Sequence, residues 1–458
     1  MLFNSLHFVL FFLGIHLVYW KLPDRFKKYW ILAASFFFYA YYSVPFLFHF
    51  LFVVTVNYLI VRSLFQKRRK WLFVTGVVLN LLNLAFFKYT NSFLSGAALH
   101  LGIKEALQLK DWLGIVLPFA ISFYAFQLIA FLVDTWRGEI REVSPANFAF
   151  FILFFPHFIA GPIMRHKDFL YQIDRVQYRK EDTVAGLYLI ALGAVKKVVI
   201  GDEAGLIIQP IWASPEKFDT ISILFAIFGF SIHVYCDFSG YTDMARGLAR
   251  LLGYSLPENF FFPYLSTSFR ELWTRWHVTL STWLRDYLFI PLGGSRVHPV
   301  RAYANMLIVM SLGGLWHGDT YTFFLWGFSH GIFLTVERFL VGKGKWPDTL
   351  PQKITGWVIV FVGWHIAAVF FRATSMDNAW KMFAGLILNA GETAPKIENL
   401  LQLGGLTLGL QVLQMYRSRF EFFLKRNAVY ALPVIAVILF FLIARIERPA
   451  EQFIYFTF

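Results

Sequence analysis

A single cysteine, Cys236, stands in 458 residues, so neither an intrachain disulfide nor a cysteine-built zinc cage can form. Charge is also scarce. Asp, Glu, Lys and Arg together make up 15%, against about 25% in soluble domains. Acidic residues are the scarcer sign, 28 against 42 basic, for a formal net charge of +14. No Lys/Arg stripe is interleaved with polar sequence as a phosphate-tracking groove requires, so the excess does not point to nucleic acid. The chain has no G-x-x-x-x-G-K-[ST] loop for ATP, and its 12 histidines include no H-E-x-x-H spacing for a metal. No bound metal is expected. Ser239, His317 and Asp237 could be strung into a hydrolase triad, but no G-x-S-x-G elbow surrounds Ser239. Neither a Gly/Ser linker, a soluble-looking block nor an internal repeat divides the chain, so one domain spanning 1–458 is expected.

Apolar and aromatic residues are abundant. Hydrophobic residues make up 58%, with 55 Phe, 21 Tyr and 15 Trp. A soluble globule of this length has too little interior for them, and disorder requires low hydrophobicity. The composition fits an all-α polytopic membrane protein. A bilayer core takes about 20 apolar residues per helix. Candidate runs begin near Phe3, Trp30, Phe46, Trp71, Trp112, Phe148, Thr183, Ile221, Ala302, Tyr321, Ile354, Leu400 and Val429. Several are short or broken by Gly and Pro. About eleven crossings are expected, with the rest re-entrant or interfacial, because irregular backbone survives at depth only inside protein. Phe3–Tyr19 has no basic region before it and no small-residue cleavage site after it, and is expected to be a retained helix.

Charge asymmetry sets the orientation. Lys21, Arg25, Lys27 and Lys28 follow the first run; Arg62, Lys67, Arg68, Arg69 and Lys70 follow the third; Ala40–Pro45 between them is uncharged. The positive-inside rule puts the N-terminus outside and both basic loops in the cytoplasm. Arg137 and Arg141 agree with that alternation. Arg165, Lys167, Arg175, Arg179 and Lys180 break it if Phe148–Met164 spans. Pro156, Gly161 and Pro162 punctuate that run, so it reads as a re-entrant hairpin entering from the cytoplasmic side.

Ionisable residues inside membrane segments are costly and point to function. Three regions concentrate them: Tyr235–Asp243, Ser268–Tyr287 and Gly313–Asp319. In the second, Phe269, Leu272, Trp273, Trp276, Leu280, Trp283, Leu284 and Tyr287 keep helical spacing, which predicts one continuous amphipathic helix. Arg270, Thr274, His277, Ser281 and Arg285 form its polar stripe, with Glu271 and Arg275 spaced to pair. Such a helix either lies on the membrane surface or lines a cavity inside the protein. In the third, Ala302–Trp316 is a short run that ends in a turn holding His317 among Gly313, Gly314 and Gly318. A low dielectric disfavours imidazolium, so a histidine held there would be a neutral proton acceptor, unless it is simply a packed structural residue. His330 could line the same space or pack; His365 reads as a packed helix residue and Cys236 as a buried small hydrophobe.

At these regions the sequence resembles the membrane-bound O-acyltransferase (MBOAT) family. It is most similar to the bacterial branch concerned with alginate O-acetylation and teichoic-acid D-alanylation. The resembling stretches are Phe155–Ile163, Tyr235–Asp243, Arg275–Tyr287 followed by Ile290–Gly294, and Gly314-Leu315-Trp316-His317-Gly318. Phe370–Ala373 and Phe453-Ile454-Tyr455-Phe456 add to them. The resemblance implies tilted helices around a central funnel and tunnel in a bacterial inner membrane. It also implies His317 as the catalytic position and His277, of the R-W-H motif, as the second. Thr274 and Asp319 depart from the branch's commoner residues.

Acyl transfer from a thioester to a hydroxyl needs a base for a poor nucleophile, and a desolvated imidazole suits the task. His277 or Arg285 could supply donors to the oxyanion. No cofactor is expected to stay bound. The implied co-substrate is an acyl thioester, acetyl-CoA or an acyl carrier, reached from the cytoplasm. The implied acceptor is a hydroxyl of an extracytoplasmic glycan or of a partner protein that relays the acyl group. A transporter or channel without transfer chemistry also places His, Asp and Arg on intramembrane paths and is the alternative. A non-catalytic exporter scaffold is a third reading.

Overall fold

A computed structural model describes residues 1, 3–103, 105–158, 161–342, 349–387 and 389–443. Phe453–Phe456 lies outside these, as do Ile159 and Ala160 of the Phe155–Ile163 stretch. Among the described residues the chain is helical, and β-structure is limited to two isolated bridges, Phe218–Glu392 and Asp219–Ala390. Two compact units form: Met1–Gly186 with Leu248–Pro257, and Leu187–Gly247 with Glu258 onward.

Helices Leu6–Tyr19, Asp24–Tyr42, Val44–Gln66, Lys70–Leu101 and Ile121–Arg137 frame the first unit. Ser43 ends one helix and starts the next: its hydroxyl accepts from the Phe46 N–H at 3.4 Å, with Pro45 in the first turn. Asn57 and Asn80 then tie Val44–Gln66 to Lys70–Leu101 through reciprocal amide bonds of 3.2 and 2.7 Å. Interhelical amide bonds of this kind hold where lipid offers no hydrophobic drive between helices. Ile121–Arg137 is buried along nearly its whole length and stops at Gly138, whose φ of 83° only glycine adopts easily. The run expected from Trp112 is therefore two pieces: Glu105–Leu113 ends early, and the buried helix begins at Ile121.

Phe148–Met164 forms no continuous span. A helix of nine residues, Pro145–Leu153, breaks at Phe154, and a four-residue helix, Phe155–Phe158, follows. Nine residues rise about 14 Å, less than half of a hydrocarbon core. The segment is buried among protein aromatics, with Phe150, Phe154, Phe169 and Tyr254 in mutual ring contact. His157 donates from Nε2 to the Phe151 carbonyl at 3.1 Å.

In the second unit, the helix from Lys180 passes through a π-helical stretch, Val195–Gly201, into Asp202–Ala213. Thr220–Leu251 lies against it so closely that a Cβ at Gly193 would strike the Gly240 carbonyl. The π turn carries Lys196 and Lys197, which pair with Asp243 at 2.7 Å and with Asp202 and Asp237 at 2.6 and 2.7 Å. Helices Pro299–His317 and Tyr321–Val341 form a tight hairpin. A Cβ on Gly314 would come within 3.0 Å of Gly327 Cα, and one on Gly327 equally close to Gly314 Cα.

Five described helices are long and apolar enough to cross a bilayer, or six if the bent pair Arg417–Arg426 and Ala428–Leu442 counts as one. They correspond to the runs begun near Phe46, Trp71, Thr183, Ile221, Ile354 and Val429. The other runs fold into shorter helices, such as Leu6–Tyr19, or into helices with more polar residues, such as Tyr321–Val341.

Candidate active site

His317 is the last residue of Pro299–His317, a helix of 19 residues, and is 4% exposed. Gly318 leaves in extended conformation, and a Cβ there would overlap the Phe323 ring. The glycine thus lets the following helix close over the imidazole. Three aromatics hold the ring: Trp316 and Trp326 at 4.9 Å and Phe371 at 5.2 Å between centroids. His317 opens onto a cavity of about 20 Å³ walled by Trp276, Trp326, Trp364, Ala368 and Phe371. Phe230 and Val234, from Thr220–Leu251, complete it. An imidazole is thereby set at the edge of a small, mostly apolar cavity, where polarity is supplied by few groups.

The continuous helix expected over Ser268–Tyr287 is broken. Phe269–Arg275 stops at Trp276, and Val278–Leu284 begins after His277, whose φ of 41° is left-handed. Asn259 causes the break. Its backbone carbonyl accepts the Val278 N–H at 3.0 Å, and its side-chain oxygen accepts the Thr279 N–H and hydroxyl at 3.1 and 3.0 Å. The same oxygen accepts from His277 Nδ1 at 3.2 Å. A non-glycine residue at positive φ is strained unless its surroundings fix it, and these bonds do so. The break takes Trp276 and His277 out of a single stripe. Trp276 faces the His317 cavity, whereas His277, fully buried, packs on Phe238 at 4.7 Å and on Trp316 at 6.2 Å. The two histidines therefore share the Trp316 indole rather than a common cavity wall.

Other expected candidates separate from this centre. Arg285 begins a π turn and lays its guanidinium on Asp286 at 2.6 Å, with the side chain 58% exposed. It does not reach the cavity, which removes it as an oxyanion donor. Thr274 bonds back to the Glu271 carbonyl, and Asp319 is exposed. Glu271 and Arg275 pair as their spacing predicts, at 2.5 Å. His330 stands behind the wall against Trp273, Trp326 and Trp364. His365 donates from Nδ1 to the Phe361 carbonyl and packs on that ring. Cys236 is buried beside Thr407, its sulfur 3.5 Å from the hydroxyl. Asn259 and Trp364 shape the geometry, and no local sequence signal marks them, since an Asn in a loop and an aromatic in an apolar helix are commonplace here; Phe371 lies in the Phe370–Ala373 stretch noted above.

A second cavity, about 50 Å³, sets Lys196, Asp243, Gln414 and Arg417 beside Tyr188, Phe420 and three leucines, Leu192, Leu410 and Leu413. Arg417 pairs with Glu258 and with Glu421 at 2.7 Å, and Arg246 bridges Asp243 and Glu258 at 3.3 and 3.5 Å. Among the described residues one cluster has ligand atoms close enough for a metal: Asp134, Glu139 and His166, all in the first unit. There His166 Nδ1 already lies 2.7 Å from Asp134, leaving Nε2 toward Glu139 at 4.0 Å.

Comparison with known proteins identifies the family. The membrane-bound O-acyltransferase family profile matches residues 31–376. A probable alginate O-acetylase of Azotobacter vinelandii is 36% identical over 437 residues, 92% of this chain and 85% of the relative. Its counterpart in Pseudomonas aeruginosa is 37% identical over 432 residues, 90% and 80% of the two chains. A peptidoglycan O-acetyltransferase of Helicobacter pylori is 35% identical over 428 residues, 84% and 80%. The matched span includes the Asn259 break, the Trp364 wall and His317 alike, and this chain belongs to the membrane-bound O-acyltransferase family, as a multi-pass membrane O-acyltransferase.

Proposed function

We propose that this protein moves an acetyl group from a cytoplasmic acyl thioester, acetyl-CoA or an acyl carrier, to a hydroxyl on the far side of the inner membrane. The acceptor is a cell-envelope polysaccharide or a partner protein that passes the group on. The family and its acetylating relatives support the reaction class. The observation that carries the assignment of residues is His317, buried at a helix end and opening onto an apolar cavity. Both units act as one functional domain.

In this reading His317 accepts the hydroxyl proton as the oxygen attacks the thioester carbonyl. The tetrahedral intermediate collapses with cleavage of the C–S bond, and the proton passes to the departing thiolate. A positioned general base of this kind contributes about 10²–10⁴-fold. His277 is a positioning residue for the acyl carbonyl or the acceptor: Asn259 anchors it against the Trp316 indole on which His317 also rests. The test is thiol release by the purified protein in detergent, with donor and acceptor present and no solute gradient. Release in wild type that falls by at least about 10²-fold in His317→Ala is expected. Substrate movement in sealed vesicles without thiol release would favour a transporter.

A further inference from the structure

The space beside His317 is small and its walls are large. About 20 Å³ is open there, and about 10–15 Å³ admits one group of water size. The wall is aromatic and aliphatic, so it suits the apolar end of an acyl group; a hydroxyl-rich acceptor would leave polar atoms unpaired against it. Trp326 and Phe371 press on the imidazole itself. Trp364 is anchored otherwise: its Nε1 donates to Ser231 Oγ at 3.0 Å, and its ring meets Trp276 at 4.6 Å. Ala368, one turn further along the same helix, is the smallest side chain on the wall.

We propose that Trp364 and Ala368 set the length of the acyl group that reacts beside His317, admitting acetyl and excluding longer chains. The inference rests on His317 as the site of transfer. The acetyl methyl occupies the open space, and a further methylene meets the Trp364 indole, whose Ser231 bond keeps it from swinging aside. Ala368 keeps that space open because any larger side chain there would fill it. One methylene in an apolar pocket discriminates by about 10–200-fold.

The experiment uses the full-length purified protein and a series of acetyl, propionyl and butyryl thioesters on whichever carrier supports wild-type transfer. The readout is the ratio of kcat/KM values across the series. Wild type should prefer acetyl over propionyl by about 10-fold or more. Trp364→Ala should shrink that preference by about 10-fold or more while still transferring acetyl, and Ala368→Leu should lower acetyl transfer by a similar factor at unchanged protein abundance. An unchanged length profile in Trp364→Ala, or full acetyl transfer in Ala368→Leu, overturns the inference. Should Trp364→Ala fail to accumulate, Trp364→Phe and Ala368→Leu carry the same comparison. Failure of the underlying site assignment looks different: His317→Ala would then retain transfer of every chain length.

Discussion

The two histidines sit one indole apart, and the proposed mechanism gives them different roles. His317 borders the cavity; His277 is held by Asn259 behind Trp316. Removing the base lowers the rate at any donor concentration. Removing a residue that positions the acyl donor, the role proposed for His277, loosens donor binding first. For His277→Ala, raised donor concentration should therefore recover part of the lost rate, whereas no such recovery should occur for His317→Ala. Rate against donor concentration at matched membrane abundance decides this, and rescue of His317→Ala alone would mean the roles are reversed. Cys236→Ser should keep most activity, since the sulfur is buried against Thr407 and direct transfer needs no protein thiol. An acyl-cysteine trapped at Cys236 would instead require a two-step relay. His317 was legible in the sequence because three glycines and a histidine interrupting an apolar run are rare unless backbone must approach closely. Asn259 was not legible. Its effect is exerted at His277, 18 residues away, while the apolar spacing of Leu272, Trp273, Trp276 and Leu280 runs through the break as though nothing happened.

Buried charge joins two of the helices of this protein, alongside packing. Asp237 and Asp243 stand out in the sequence as acids in an apolar segment, yet their partners Lys196 and Lys197 did not, because two lysines in a run read as a boundary. The π turn brings them inward. Breaking one partner of a buried pair leaves an uncompensated charge, at a cost of about 3–5 kcal/mol, whereas replacing both with apolar residues is often neutral. Lys196→Met should accordingly reduce folded protein, although Arg246 at 3.3 Å still faces Asp243, and Lys196→Met with Asp243→Leu should restore part of the loss, as read by size-exclusion in detergent. At the entrance of Thr220–Leu251 the balance is milder. Asp219 accepts from the Ser222 N–H at 2.7 Å and the Thr393 hydroxyl at 2.6 Å, and these bonds hold its carboxyl below the usual range. A depressed carboxyl contributes stability above its unfolded value of about 3.9, which is lost as pH falls through the folded one. Thermal unfolding scans should therefore show wild type losing stability below about pH 4 relative to Asp219→Asn, and the two curves running parallel above it.

For the whole molecule, the family match runs from residue 31 to 376 and so through parts of both compact units. Sequence composition alone identified the membrane class, but not how every run is divided among helices: the run from Trp112 onward looked like a span and is a broken element, since aromatic-rich segments are as apolar inside protein as they are in lipid, whereas the prolines and glycine of Phe148–Met164 already marked an interruption. Orientation follows from charge. The N-terminus should lie outside and Gln66–Lys70 in the cytoplasm, because the reverse exposes two clusters of basic residues. A cysteine placed at Lys67 in a Cys236→Ser background should resist membrane-impermeant maleimide on intact cells and label after permeabilisation. If Phe148–Met164 is re-entrant, cysteines in Arg165–Lys180 should behave the same way; labelling from outside would make that segment a crossing.

The glycine contact between Pro299–His317 and Tyr321–Val341 has a mechanical consequence. Where Gly314 and Gly327 meet, backbone rests on backbone, and no compliant side chain lies between to absorb a slide. Moving either helix along the other by one residue would drive a side chain into the opposing main chain. The hairpin thus has one register and transmits displacement as a stiff lever, with His317 at its tip. On the proposed reading, opening of the cavity is then expected to come from rotation of the indoles or from the helices opposite, with the imidazole as the fixed point against which they move.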